Sequence, residues 1–285
     1  MGNPFSTYHP LVAFVYLVAV LVFSMTAMQP VYAALSLVGA FVCACVVRGM
    51  HKAVRTLAGA MALALVVTAA NVIFVASGST ELFRIGLRAF YTESLVYGLS
   101  AGAMLASVLL WFSSYDECMG RDNSLALFGN VLPVLTLMVS QVLRLVPQFV
   151  KRGRDIAAVQ DAAFPAASRN AREALRSRLR VVSVLMGWGM EDGLIRSDAM
   201  RARGYACGVK RTSYRRFSIR CADVVAIAAV CILIVLNGVL VPRILADFSF
   251  YPVMSGMGAW WLYVPYVALM AFPLFLAFKE WLRWK

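Results

Sequence analysis

"LVAFVYLVAVLVFSMTAMQPVYAALSLVGAFVCACVV" (Leu11–Val47) contains no Asp, Glu, Lys or Arg. One helical crossing of a bilayer takes about 20 apolar residues, so this stretch is long enough for two. Gln29-Pro30 divides it, because the residue before a proline is pushed away from helical geometry. The reading is two retained spans, Leu11–Met28 and Pro30–Val47, joined by a very short turn into a hairpin. The preceding MGNPFSTYHP has no basic n-region, so the first run is read as a span and not as a cleaved signal peptide.

Working outward, four more apolar runs have spanning length: Val54–Ala76, Ser94–Phe112, Ala222–Val241 and Gly258–Phe278. Composition agrees. The chain is 61% hydrophobic with a mean hydropathy of +0.76, and only 14% of its 285 residues are charged. Soluble domains carry roughly 25% charge, and a soluble fold of this size could not bury so much apolar surface. The expected architecture is an all-α polytopic membrane protein with about six transmembrane helices.

Charge sets the expected orientation. Lys and Arg number 27 against 14 acidic residues, and 16 of the basic residues lie between Lys151 and Arg220 beside only six acids. In a soluble protein such a patch would suggest nucleic acid. Between membrane spans it marks the cytoplasmic side, and no nucleic-acid partner is expected. "RGMHKAVR" (Arg48–Arg55) reads as a basic loop on the same side, and six spans then place both termini there. "LALFGNVLPVLTLMVSQVLRLV" (Leu125–Val146) could cross by hydropathy alone. Crossing would begin the basic segment outside, so this run is read as a helix lying on or dipping into the cytoplasmic leaflet. Three regions result: a four-span region over 1–113, a cytoplasmic helical region over 114–220 with 125–146 membrane-associated, and a two-span region over 221–285. Within 147–220, Ala166–Arg180 reads as an Arg-rich amphipathic helix and Val181–Arg203 as a second. The second has Val181, Val184, Leu185, Trp188, Ile195, Ala199 and Ala202 on one face and Asp192 interrupting it. Gly204 fits the left-handed position that follows a helix end.

The motif inventory is short on catalysis. No GxxxxGK[ST], HExxH or GxSxG occurs, and the two histidines, His9 and His51, are far from any cysteine pattern. The chain is therefore read as non-enzymatic, with no cofactor or metal of its own. The six cysteines form no CxxC and read as reduced structural thiols. Two residues stand out. Glu93, preceded by Glu81, Arg84 and Arg88, reads either as an intramembrane ion site or, favoured, as part of a solvated loop and helix start. Arg203, at a helix C-terminus where a cation is stabilised, reads either as a bidentate docking group or as one surface arginine among many.

Four segments carry a family likeness: "NVIFVASGSTELF" (Asn71–Phe83), "FYTESLVYGL" (Phe90–Leu99), "VLRLVPQFVKRGRDIAAVQ" (Val142–Gln160) and "MEDGLIRSDAMRARGYACGVKRTSY" (Met190–Tyr214). In this order they resemble the transmembrane coupling subunit, or T component, of energy-coupling factor transporters, a group that includes the cobalt-transport permease subunit. The last segment, with its Ala-Met-x-Ala-Arg-Gly-Tyr pattern, is the most specific; the N-terminal third is generic.

The resemblance implies two cytoplasmic coupling helices, each ending in an Ala-Arg-Gly-type motif that docks on one ATPase subunit. Ala202, Arg203 and Gly204 match the second motif. The first would fall at Gln160, Asp161, Ala162 and Ala163, where no arginine stands; either that contact is made without one, or a nearby basic residue such as Arg169 substitutes. It also implies partners: two ABC-type ATPase subunits, which would hold ATP and Mg, a small substrate-binding membrane subunit, and the lipid bilayer of the cell membrane. The implied function is a non-catalytic coupling subunit for uptake of a vitamin or metal ion. The alternative is a self-sufficient secondary transporter, for which the spans offer few polar groups and no clear internal repeat. A membrane enzyme ranks third.

Overall fold

A computed structural model describes residues 8–75, 80–85, 88–120, 123–124, 127, 132–163, 171–205, 207–208, 220–250 and 259–283. Two units are distinguished by their packing: residues 1–124 together with 217–285, and residues 125–216.

The first unit is a helical bundle. α1 (Pro10–Thr26) and α2 (Pro30–Arg48) both begin at prolines, where the missing N–H costs nothing and φ is already set for a helix. α3 (Met50–Phe74) follows α2 after a single residue, Gly49, whose φ of +85° only glycine adopts readily. The expected basic loop Arg48–Arg55 is therefore absent. His51, Lys52 and Arg55 instead occupy the first turns of α3.

A two-stranded antiparallel hairpin, β1 (Glu81–Ile85) and β2 (Arg88–Tyr91), leads into α4 (Thr92–Cys118). It is the one departure from the all-α expectation among the described residues. After the second unit come α7 (Cys221–Ala246), a 3-10 turn at Trp260–Tyr263, and α8 (Val264–Arg283). In the second unit, α5 (Pro133–Ala163) and α6 (Ala171–Ala202) pack against each other.

Among the described residues, six helices have the length and apolarity of membrane spans: α2, α3, α4, α5, α7 and the run Trp260–Lys279. The chain is a multi-pass membrane protein. The set differs from the expected one at two places. α1, at 17 residues, sits at the lower limit of crossing length. α5 has a span's composition, although its first half was read as lying at the membrane surface.

α4 is the centre of the bundle and packs on α1, α2 and α3. Its contact with α3 is close because the facing residues are small. Gly98, Gly102 and Ala106 recur every fourth residue in α4, opposite Ala60, Ala64 and Thr68 of α3. A side-chain carbon added to Gly102 would lie 2.7 Å from the Ala64 carbonyl oxygen. Between lipid-facing helices no hydrophobic drive exists, so such close backbone approach and its dispersion contacts hold the pair together. Thr68 Oγ1 adds a hydrogen bond to the Gly98 carbonyl at 3.1 Å.

Polar contacts fix which helix ends lie together. His9 N–H donates to buried Asp223 Oδ1 at 3.1 Å, joining the starts of α1 and α7. Arg48 at the end of α2 meets Ser113 and Glu117 near the end of α4, and Thr56 in the second turn of α3. At the opposite end, Gln29 before α2 donates to the Tyr263 hydroxyl at 2.9 Å, and Ser94 of α4 donates to the Val75 carbonyl after α3 at 2.7 Å. Cys118 and Arg220, from which the chain leads to the second unit, therefore share one end of the bundle.

A buried aromatic seam closes the first unit. Tyr32 packs on Tyr263 and Tyr266 at ring separations of 4.9 and 4.8 Å. Trp111 donates to Ser36 Oγ at 3.3 Å, and Tyr16 packs on Trp111 and Phe272. Gly39 leaves room for Met270, whose Cβ would be 2.9 Å from an added carbon. These residues tie α1, α2 and α4 to the C-terminal helix.

Candidate functional site

The two helix ends singled out by sequence belong to the second unit. α5 and α6 run antiparallel, because Gln141 meets Met200, Gln148 meets Arg196, Phe149 meets Trp188, and Gln160 meets Ser177. The ends of α5 and α6 therefore lie at opposite ends of the hairpin. At 1.5 Å of rise per residue on either side of the Gln148–Arg196 bond, they are roughly 30 Å apart.

α6 is one helix from Ala171 to Ala202. The expected division into Ala166–Arg180 and Val181–Arg203 does not exist, and residues 166–170 lie outside the described residues. Continuity has a simple reason: Arg180 to Val182 contains neither glycine nor proline, so nothing there stops a helix. α5 likewise runs unbroken through Pro147, joining the expected membrane-associated helix to the residues after it. Residues 125, 126 and 128–131 of that expected helix lie outside the described residues.

The seam between the two helices also differs from the expected face. Val181, Leu185 and Trp188 lie in it, but Val184 and Ile195 are exposed, as are Ala199 and Ala202. Asp192 does not interrupt the seam; it is part of it. It pairs with Arg196 one turn on, and Arg196 donates to Gln148 Oε1 of α5 at 2.7 Å. Phe149 fits because Gly189 faces it, with 2.6 Å between the ring and an added carbon. Arg152 stacks over Trp188, 5.1 Å from the ring centre.

The C-terminus of α6 has the predicted form. Gly204 takes φ +80°, its N–H donates to the Arg201 carbonyl at 2.9 Å, and Tyr205 N–H donates to the Met200 carbonyl at 3.0 Å. This is a complete Schellman motif, which satisfies carbonyls that a helix end otherwise leaves open. Ala202 is the last helical residue, Arg203 the cap and Gly204 the reversing residue, all three exposed. Among the described residues, the Arg203 side chain has no ion-pair or hydrogen-bond partner. The motif thus presents a cation on a tightly turned helix end whose negative pole supports the charge.

The other end is different in character. Gln160 Oε1 accepts from Ser177 Oγ at 3.1 Å, so its side chain is engaged within the hairpin. Asp161, Ala162 and Ala163 form the exposed last residues of α5. Arg169, the proposed substitute, lies outside the described residues.

Glu93 stands in the first turn of α4, at the helix start that the sequence offered. It is only 4% exposed, so it is not a solvated loop charge. Its carboxylate accepts from Thr80 N–H at 3.2 Å, Thr80 Oγ1 at 2.7 Å and Thr92 Oγ1 at 3.1 Å. That is the coordination of a structural brace, which joins the base of the hairpin to the first turn of α4, where a negative charge is favoured. The sequence signal for it, a Thr-Glu at a helix start, was visible; its partner Thr80 was not.

No protein-family model matches the chain, and no curated protein matches it significantly.

Proposed function

We propose that this chain is the membrane-embedded, non-catalytic coupling subunit of an energy-coupling factor type ABC importer. In this reading the bundle sits in the cell membrane with the Arg48–Lys52 end and residues 147–220 in the cytoplasm. ATP and Mg are held by two separate ATPase subunits, and a small membrane subunit binds the substrate, a vitamin or metal ion. Nucleotide-driven movement of the ATPases would be carried through the α5/α6 hairpin to the spans.

The observation that carries the reading is the end of α6. There the Ala202-Arg203-Gly204 motif, the residues of the family likeness, forms a closed cap with an arginine that has no partner among the described residues. Two helix ends about 30 Å apart suit two separate ATPase contacts. The absence of arginine at Gln160–Ala163 makes those contacts unequal.

The test is affinity purification from native membranes, followed by identification of bound subunits and uptake assays. Two ATP-binding proteins should co-purify with the wild type. Arg203→Glu reverses a charge that acts at the interface, and loss of one charge-assisted pair costs on the order of 2–5 kcal/mol. It should therefore weaken ATPase association and reduce uptake while membrane abundance stays constant. Arg201→Glu, exposed on the same last turn, is the control and should do less. Normal uptake by Arg203→Glu with the ATPases still bound removes this assignment.

A further inference from the structure

The α5/α6 hairpin is electrically lopsided. The half that contains the Gln160–Ser177 contact carries Lys151, Arg152, Arg154, Arg172, Arg176, Arg178 and Arg180 against Asp155, Asp161 and Glu173. All seven basic side chains are exposed. The other half, near Gln141–Met200, carries Arg144, Arg196, Arg201 and Arg203 against Glu191, Asp192 and Asp198, close to balance. Within the described helices, the positive surplus is thus concentrated at the end away from the Arg203 motif.

The same half bears an apolar stripe that α5 does not cover. Leu175, Leu179, Val182 and Met186 recur at helical spacing on α6 and are 58%, 60%, 52% and 67% exposed. The seam residues Val181, Leu185 and Trp188 lie on a different face. At 100° per residue, Arg172 and Arg176 flank the stripe on one side and Arg178 on the other, while Glu173 and Glu191 fall on the far side of the helix. Apolar residues in the centre, arginines on both flanks and acids opposite is the arrangement of a helix that lies in a membrane interface.

We infer that the first half of α6 is a docking surface for anionic lipid headgroups, with Leu175, Leu179, Val182 and Met186 entering the interface and Arg172, Arg176 and Arg178 meeting lipid phosphates. Charge complementarity selects this occupant. Each Lys or Arg close to an anionic bilayer surface adds to binding, and the attraction fades within a Debye length, so contact is salt-sensitive. An acidic protein partner would not require an apolar stripe between the arginines. The inference rests on α6 alone and is independent of the assignment as a coupling subunit.

The full chain, in a cysteine-free background, would carry a fluorophore at Met186→Cys or, for comparison, at Glu191→Cys. It would be placed in nanodiscs of brominated phosphatidylcholine, with or without phosphatidylglycerol. Quenching at position 186 should rise clearly when phosphatidylglycerol is present, fall again in high salt, and exceed quenching at position 191. The triple variant Arg172→Glu, Arg176→Glu, Arg178→Glu should return position 186 to the level seen in phosphatidylcholine alone. The comparison of lipids in the unmutated helix stands even if the triple variant misfolds. If position 186 stays unquenched in both lipids, the stripe is a face for protein and the proposal is wrong. Equal quenching with and without phosphatidylglycerol also overturns it.

Discussion

Gly102 and Gly59 make a paired test of what holds the bundle together. An alanine at 102 would press its methyl against the Ala64 carbonyl, a backbone atom that cannot swing aside, whereas nothing lies within 4 Å of a carbon added at Gly59. Overpacking of this kind costs about 1–3 kcal/mol. Gly102→Ala should therefore lower the unfolding temperature in detergent, while Gly59→Ala should leave it unchanged or raise it through better helix propensity. Glu93→Gln is a second residue-scale test. The amide oxygen can keep both Thr80 donors, but the amide nitrogen then stands where an oxygen accepted from Thr92 Oγ1, and the negative charge at the start of α4 is lost, a charge worth about 0.3–1 kcal/mol at a helix N-terminus. Thermal stability should drop measurably; an unchanged unfolding temperature would show that the brace contributes little. The Gly98–Gly102 spacing is present in the sequence as a small-residue pair four apart, but such a pair does not name the helix that packs on it, so Ala64 as its partner was not legible. The brace at Glu93 was not legible, since Thr80 approaches from across a hairpin that weak alternation did not reveal.

At the scale of elements, helix interiors were easier to read than helix joins. Apolar runs located the spans because membrane burial tolerates little else. The ends moved wherever polar residues continued a helix, as at Met50–Arg55 and beyond Phe112 to Cys118. Capping chemistry was the exception: Gly204 was legible because few residues other than glycine occupy its backbone region readily. The α5/α6 seam was misread because Asp192 counted as a fault in an apolar face, although an acid paired with Arg196 and bridged to Gln148 can lie in a seam at little cost. The steric fit of Phe149 on Gly189 is the sharpest point of that seam. Gly189→Val would place branched carbon where the ring stands, and should splay the hairpin. Disulfide trapping of Gln141→Cys with Met200→Cys, efficient in an otherwise cysteine-free chain, should fall several-fold in Gly189→Val. Equal trapping would mean the hairpin does not depend on this contact.

For the whole molecule, the fold predicts a sidedness experiment. Met50 and Trp260 are 68% and 80% exposed and belong to opposite ends of the bundle. With the basic end in the cytoplasm, an impermeant thiol reagent should label Trp260→Cys in intact cells and Met50→Cys only after the membrane is opened. The reverse pattern would invert the proposed orientation. The bundle is also discontinuous in sequence, and this has a consequence during synthesis. Gln29, Tyr32 and Gly39 find their partners Tyr263, Tyr266 and Met270 only after the hairpin unit and α7 have been made. At the 5–20 residues per second of translation, the stretch from Cys118 to Tyr266 takes roughly 7–30 s. For that interval the first four helices present an amide and a phenol toward lipid, a window in which an insertase or neighbouring chain must shield them.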